Sequence, residues 1–261
     1  MRRPIRAALA AGALGCAWIA PWLASAGTAS AAVVTFNPSK DNTLFESAAG
    51  DLSSGAGPDL YFGATSTLAK RRAVLAFDLS SIPAGSVVTA VTLTLSVTQA
   101  PLGGGSASTV EVHRVAASWG EGASSAASGG GATALTDDAT WLHRFYNTSS
   151  WTTAGGDFDA AVLASTGVTG LGAYSWTSAA LAAGVQGWVN NPATNFGWIL
   201  TGGEATAQSA RKLGSRENAD ASVRPVLSVT YTPVPEPAAA GVVVASLVAC
   251  GAVRRRRAAR H

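Results

Sequence analysis

The chain has 261 residues, 48% hydrophobic and only 13% charged, with a formal charge of +3; that length fits one domain or two small ones. Eight of the 18 basic residues are Arg2, Arg3, Arg6, Arg254, Arg255, Arg256, Arg257 and Arg260, so residues 32–235 keep 10 basic against 14 acidic side chains, a formal charge of −4. A nucleic-acid groove needs clustered Lys and Arg, which this stretch does not supply, and with Cys16 and Cys250 outside it it has neither a disulfide framework nor a Cys-ligated zinc site.

In chain order, residues 1–31 come first and read as a secretory signal peptide. Arg2, Arg3 and Arg6 form a positive n-region, residues 7–20 an apolar run of 14, and Ala24-Ser25-Ala26 and Ala29-Ser30-Ala31 two small-residue cleavage sites. The apolar run is short for a membrane span, so export and removal of the segment are expected.

Strand signals fill residues 32–232. Leu75 and Phe77 share one face of the run 73–78, and Val91, Leu93, Leu95 and Val97 alternate with Thr92, Thr94, Ser96 and Thr98. Val110 and Val112 alternate with Glu111 and His113; residues 196–201 form a short apolar run; Leu227, Val229 and Tyr231 alternate with Ser228 and Thr230. A period of two rich in β-branched residues reads as half-buried antiparallel strand. Gly, Ser and Pro clusters punctuate the runs, and the Gly-Ser-Ala stretch 122–133 reads as a low-complexity mobile loop. Many short strands so punctuated predict an all-β chain, an antiparallel β-sandwich or jelly roll. One short helix is predicted over 178–190. Ser178 caps it, Leu181, Val185 and Trp188 form one face, and Pro192 ends the pattern. An N-terminal signal helix and a C-terminal hydrophobic helix flank this body.

The chemistry-bearing motifs are few. No zinc-protease, phosphate-loop or nucleophile-elbow pattern occurs, so the chain reads as non-catalytic. His113 and His143 are expected as packed or surface side chains. Asp157 and Asp159, two residues apart, would share a strand face and are the candidate ligands of a structural calcium ion, a hard cation that takes oxygen donors; no other cofactor is expected. Trp119, Trp188 and Trp198 are assigned to the core. The densest aromatic run holds Trp141, Phe145, Tyr146, Trp151 and Phe158. Arg144 and Tyr146 would share one strand face with Trp151 exposed on the following loop, and these three form the candidate ligand face, since sugar rings stack on aromatic side chains.

The tail has three parts: Val234-Pro235-Glu236-Pro237, then 16 uncharged residues at 238–253, then Arg254, Arg255, Arg256 and Arg257. A helix of that length spans about 24 Å, short for a hydrocarbon core of about 30 Å, and its basic end stays on the cytoplasmic side. This arrangement resembles the PEP-CTERM sorting signal. The resemblance implies that exosortase recognises Pro235, Glu236 and Pro237 after export by the secretion machinery. It also implies transient inner-membrane anchoring through the tail helix, and a final place at the cell surface or outside the cell.

Five further segments fit one domain family. Asp41-Asn42-Thr43-Leu44-Phe45-Glu46 matches the Asp-Asn-Arg-Leu-Arg-Glu signature at four of six positions. Residues 72–82 followed by Pro83-Ala84-Gly85, then Trp119-Gly120-Glu121-Gly122, Val185-Gln186-Gly187-Trp188, and Ser215-Arg216-Glu217-Asn218 with Arg224-Pro225 complete the pattern. Residues 36–232 thus resemble the DNRLRE domain, which implies a carbohydrate-binding-module-like β-sandwich with extracellular polysaccharide, acidic kinds among them, as partner. Thr43 and Phe45 stand where the signature has arginine. Where the matched segments meet, Arg216 is expected to form a structural ion pair with Asp41 or Glu46. An acidic body binds an acidic polysaccharide only through a local basic patch or a bridging cation. The sequence therefore divides into a signal peptide (1–31), a DNRLRE-like domain (32–232) and a sorting signal (233–261). It reads as an exported surface or biofilm-matrix protein that binds polysaccharide. A structural matrix protein without a ligand, and a polysaccharide lyase or hydrolase, are the alternatives.

Overall fold

Alternating apolar side chains build most of this molecule strand by strand. The computed structural model describes residues 30–101 and 107–234. Its strands are β1 (Ala32–Phe36), β2 (Lys40–Phe45), β3 (Leu52–Ser53), β4 (Asp59–Ala64), β5 (Lys70–Ala76), β6 (Val87–Gln99), β7 (Ser108–Arg114), β8 (Ala132–Thr133), β9 (His143–Phe145), β10 (Ser149–Ser150), β11 (Ala164–Val168) and β12 (Gly172–Thr177). Helix α1 (Ala179–Asn190) follows, then β13 (Trp198–Gly202), β14 (Arg211–Gly214) and β15 (Val226–Thr232). The expectations for residues 1–29 and 235–261, including the signal segment, Pro235, Glu236, Pro237 and the arginine cluster, lie outside the described residues.

The chain is all-β with one α-helix among the described residues, as the punctuated alternation predicts. The main sheet has 11 antiparallel strands in the order β1-β15-β6-β14-β4-β5-β13-β7-β11, with β12 added to β6 and β2 to β5. Strand β4 is where it curls: Asp59, Leu60, Tyr61 and Phe62 pair with β14, and Gly63 and Ala64 pair with β5. The strands on both sides of β4 then turn one face to a shared apolar core. Leu93, Leu95, Trp176 and Leu227 come from one side, and Leu75, Val110, Val112 and Trp198 from the other.

Strand β6 shows why. Val91, Leu93, Leu95 and Val97 are buried while Thr92, Thr94, Ser96 and Thr98 are only partly so, because successive side chains point to opposite faces. Helix α1 closes the core as expected. The Ser178 hydroxyl accepts the Leu181 N–H at 2.9 Å, satisfying one of the free donors of the first turn, and Leu181, Val185, Trp188 and Val189 are buried.

A second cluster covers the opposite face of β2, β5 and β13. Leu44, Val74, Ala76 and Ile199 project outward from these strands and are roofed by Val115, Trp119, Ala139, Trp141 and Trp151. The roof belongs to a long, mostly irregular excursion between β7 and β11. Arg72 pins it: its guanidinium meets Glu204 at 2.7 and 2.9 Å, donates to the Gly155 carbonyl at 2.8 Å, and lies 4.9 Å from the Trp141 ring centre. The stretch 122–133, expected as a mobile loop, is tied down in this structure. Ser124 and Ala126 are buried, Ala56 N–H donates to the Ser124 carbonyl at 2.8 Å, and β8 pairs with β3. Among the described residues no helix is long and apolar enough to cross a membrane.

Candidate functional site

Two polar centres stand out. The first gathers the matched signature segments. Asn42 on β2 is a buried hub: its amide donates to Ser53 Oγ at 2.9 Å and to the Glu121 carbonyl at 2.8 Å, while its oxygen accepts the Thr43 and Ser54 N–H groups at 2.7 and 3.1 Å. Glu121 reaches this place because glycines flank it. A Cβ on Gly120 would sit 1.9 Å from the Asp137 carbonyl, and one on Gly122, at φ +75°, would sit 1.7 Å from Asp138 Oδ1.

The Arg216 backbone N–H donates to Asp41 Oδ2 at 2.8 Å, and the Asp41 N–H donates to Glu121 Oε1 at 2.9 Å. Arg216 Nε lies 2.8 Å from Glu121 Oε1 and 2.5 Å from Glu217 Oε1. This corrects the expected ion pair. The Arg216 side chain pairs with Glu121 and Glu217, Asp41 is met by its backbone, and Glu46 instead accepts the Lys70 N–H at 2.7 Å. One carboxylate oxygen from each of Asp41, Glu121 and Glu217 lies within 4.8 Å of the other two. Burial pushes the Asp41 carboxyl well above the usual carboxylate range, opposed by the Arg216 N–H and reinforced by Glu217 and Glu121. Burial also raises Glu121, against the Asp41 N–H and Arg216. Lys40 is lowered by burial, against Glu121; its ammonium donates to the Trp119 carbonyl and sits 4.1 Å above the Trp119 ring.

The second centre is an open cleft of ≈ 760 Å³ between the ends of β4, β5, β6 and β14, where Tyr61, Arg71, Gln99, Gln208, Arg211 and Lys212 carry its polar chemistry. Among the described residues that line it, three are basic and none is acidic. Arg71 donates to the carbonyls of Gly129 at 3.0 Å and Lys70 at 2.8 Å and lies 5.0 Å over Phe45. Burial lowers the Arg71 pKa, against Glu46. Lys212 reaches out of the cleft to Asp59 at 2.9 Å. Burial, with Asp59 adding, raises the Tyr61 phenol to about 12, so its O–H stays protonated at neutral pH.

The expected ligand face is not assembled. Trp151 is 5% exposed, and its indole N–H donates to the Thr140 carbonyl at 2.9 Å, so it belongs to the roof and offers no stacking surface. Arg144 donates to the Ser118 carbonyl at 3.2 Å, and Tyr146 stands edge-on to His143 at 5.4 Å. Trp119, Trp141, Trp176, Trp188 and Trp198 are buried as well. Asp157 and Asp159 do not share a strand; only Phe158 between them makes an isolated bridge, to Val115. Both Asp157 oxygens accept turn N–H groups, from Thr152 and Thr153 at 2.8 Å each, and Asp159 pairs with Arg114 at 2.7 Å. The acidic group that does converge is Asp41, Glu121 and Glu217. All three stood in motifs already singled out, but their meeting is a property of the fold. The chain matches no protein-family model and no curated protein.

Proposed function

We propose that the chain is an exported, non-catalytic cell-surface or extracellular-matrix protein that binds polysaccharide. In this reading the curled sheet is a β-sandwich of jelly-roll type, and the tail of Pro235, Glu236, Pro237 and the arginine cluster is a sorting signal for exosortase. The observation that carries the binding function is the cleft: a body of formal charge −4 over residues 32–235 has a pocket whose described lining holds Arg71, the buried Arg211 and Lys212, the last paired with Asp59, and no carboxylate. Such a local basic patch is what an acidic module needs to attract an anionic sugar. Gln99, Gln208 and the Tyr61 hydroxyl add neutral hydrogen-bonding groups for sugar hydroxyls. Phe45 stands where the resembling family has an arginine, and Arg71, its cross-strand partner, brings a guanidinium to the same neighbourhood. With no paired carboxylates in the cleft, the site lacks the two-acid arrangement of glycoside hydrolysis.

Affinity electrophoresis through gels of uronate-bearing and of neutral polysaccharides tests the reading. Retardation by a uronate polymer is expected, weakened about tenfold in Arg71→Gln, the loss of one charge-assisted hydrogen bond. Unaltered mobility in every gel would favour the ligand-free matrix protein. For sorting, the mass of secreted material should show a chain lacking the residues beyond about 237; an intact arginine cluster there would refute it.

A further inference from the structure

We propose that the free edge of β1 pairs antiparallel with β1 of a second copy of this chain, joining the two main sheets across a two-fold axis. Strands β1, β15, β6 and β12 lie side by side in the sheet, and none of them carries an Asp, Glu, Lys, Arg or His. Strands β2, β4, β5, β7 and β14 each carry at least one charged side chain. Within the uncharged group β1 is outermost. Val34 and Phe36 pack against the inner core, while Val33 is 66% exposed and Thr35 is exposed as well. The far side of β1 meets no other strand among the described residues, so it presents a row of backbone donors and acceptors, a template for another strand. Proteins ordinarily blunt such an edge with Lys, Pro or a bulge. Ala32-Val33-Val34-Thr35-Phe36 has none of these, and its register against β15 runs without a shift. Other borders of the sheet are engaged within the chain. The Thr166 hydroxyl of β11 donates to the Ser175 carbonyl of β12 at 2.6 Å, and the Asp41 N–H of β2 donates to Glu121 Oε1 at 2.9 Å.

Charge and side-chain size select a second copy as the partner. Residues 32–235 carry a formal −4, so two copies repel each other except where they meet through an uncharged surface, and β1 with the strands behind it is such a surface. A two-fold axis through Val34 sets Val33 opposite the partner's Thr35 and Ala32 opposite the partner's Phe36. Two β-branched residues then face each other on the outer side, the smallest side chain of the strand meets its largest, and no like charges stand opposite. Both copies offer the same edge, so the contact is isologous and closes as a dimer rather than growing into a fibre. The pairing does not depend on polysaccharide binding. Where the cleft binds as proposed, a dimer carries it twice and gains avidity for a long polymer without a new contact.

The test is sedimentation velocity of the chain as purified from producing cells, over a range of concentrations, with hydrogen exchange read at β1. Paired five-residue strands bury a small area, so a fast-exchanging dimer with a Kd at or below about 1 mM is expected. The β1 amides on the free side should gain protection only at concentrations where the dimer forms. Added salt should not weaken it, because no ion pair holds it. Val33→Lys with Thr35→Lys sets like charges directly across the axis twice, and should weaken the dimer about tenfold or more while keeping the circular-dichroism spectrum, since both positions are exposed. Val33→Lys with Thr35→Glu sets opposite charges there and should dimerise again. Ser175→Lys, exposed on β12, should dimerise as the parent does. A parent chain that stays monomeric up to about 1 mM overturns the proposal, whatever polysaccharide it binds. Protection of the free-side β1 amides in the monomer overturns it too, since another segment of the chain then holds the edge. Unchanged self-association in the first variant, or its absence in the second, does the same.

Discussion

The two faces of β5 and β13 are both buried, but by different means. On the inner face Ala73, Leu75, Trp198 and Leu200 meet side chains from facing strands and from α1. On the outer face Val74, Ala76 and Ile199 meet a roof of irregular chain anchored by Trp119, Trp141 and Trp151. Regular strands satisfy their own backbone groups along the ladder, whereas a loop must find each partner separately. The roof does so through side-chain hubs: Asn42 reaches the Glu121 carbonyl, Arg72 the Gly155 carbonyl and the Trp151 indole the Thr140 carbonyl. The inner core is therefore a collective of aliphatic contacts, and the roof a set of discrete clamps. The first should fail as a whole and the second piece by piece.

The largest effect is expected inside. Trp198 is fully buried, 4.9 Å from Trp188 and 5.8 Å from Phe77 between ring centres. Trp198→Ala should lower stability by about 3–5 kcal/mol and the melting temperature by about 10 °C, with one cooperative transition. Trp151→Ala removes a roof anchor and one hydrogen bond and should lower stability by about 3 kcal/mol. Its signature is local: proteolysis confined to residues 116–163 while the β6 amides stay protected from hydrogen exchange. Equal loss of protection in β6 would mean that the two faces are one cooperative unit, and the comparison would be broken.

The same contrast decides what was legible in the sequence. Strand β6 and helix α1 announce themselves because each has one buried face, so period and burial coincide at Val91, Leu93, Leu95 and Val97 and at Leu181, Val185 and Trp188. In β2 the code breaks down: Asp41, Asn42 and Thr43 are as buried as Leu44 and Phe45, since both faces are covered. Trp151, flanked by Ser150 and Thr152, looks exposed, yet the roof needs its ring; a polar neighbourhood in sequence says nothing about a side chain that plugs a loop into a sheet. The cleft was hidden for a different reason. Tyr61, Arg71 and Lys212 lie on three strands with no motif in common, and only the curl at β4 brings them together. The Asp41–Glu121–Glu217 cluster falls between these cases. Its members stood in matched motifs, but the pairing expected for Arg216 went to the wrong acids because register across the turn after β14 is not written in residue types.

The smallest expected effect concerns a single carboxyl in the roof. Asp138 is 0% exposed; its Oδ2 accepts the Leu135 N–H at 2.6 Å and its Oδ1 the Ser124 N–H at 3.4 Å. Burial raises its pKa, and those N–H bonds and nearby hydroxyls only partly oppose the rise. Between the ordinary carboxylate pKa and this raised value, the folded chain holds a proton that the unfolded chain has released. Stability from this group is therefore complete below the unfolded pKa of about 4 and is lost as pH rises through the folded value. Asp138→Asn keeps an acceptor for the Leu135 N–H and removes the titration. Melting curves of the two proteins from about pH 4 to pH 7 should converge at the acid end and separate toward neutrality, with the variant falling less steeply. Parallel curves would show that the roof tolerates the Asp138 charge, and that its clamps are as forgiving of electrostatics as the ladder of the inner face.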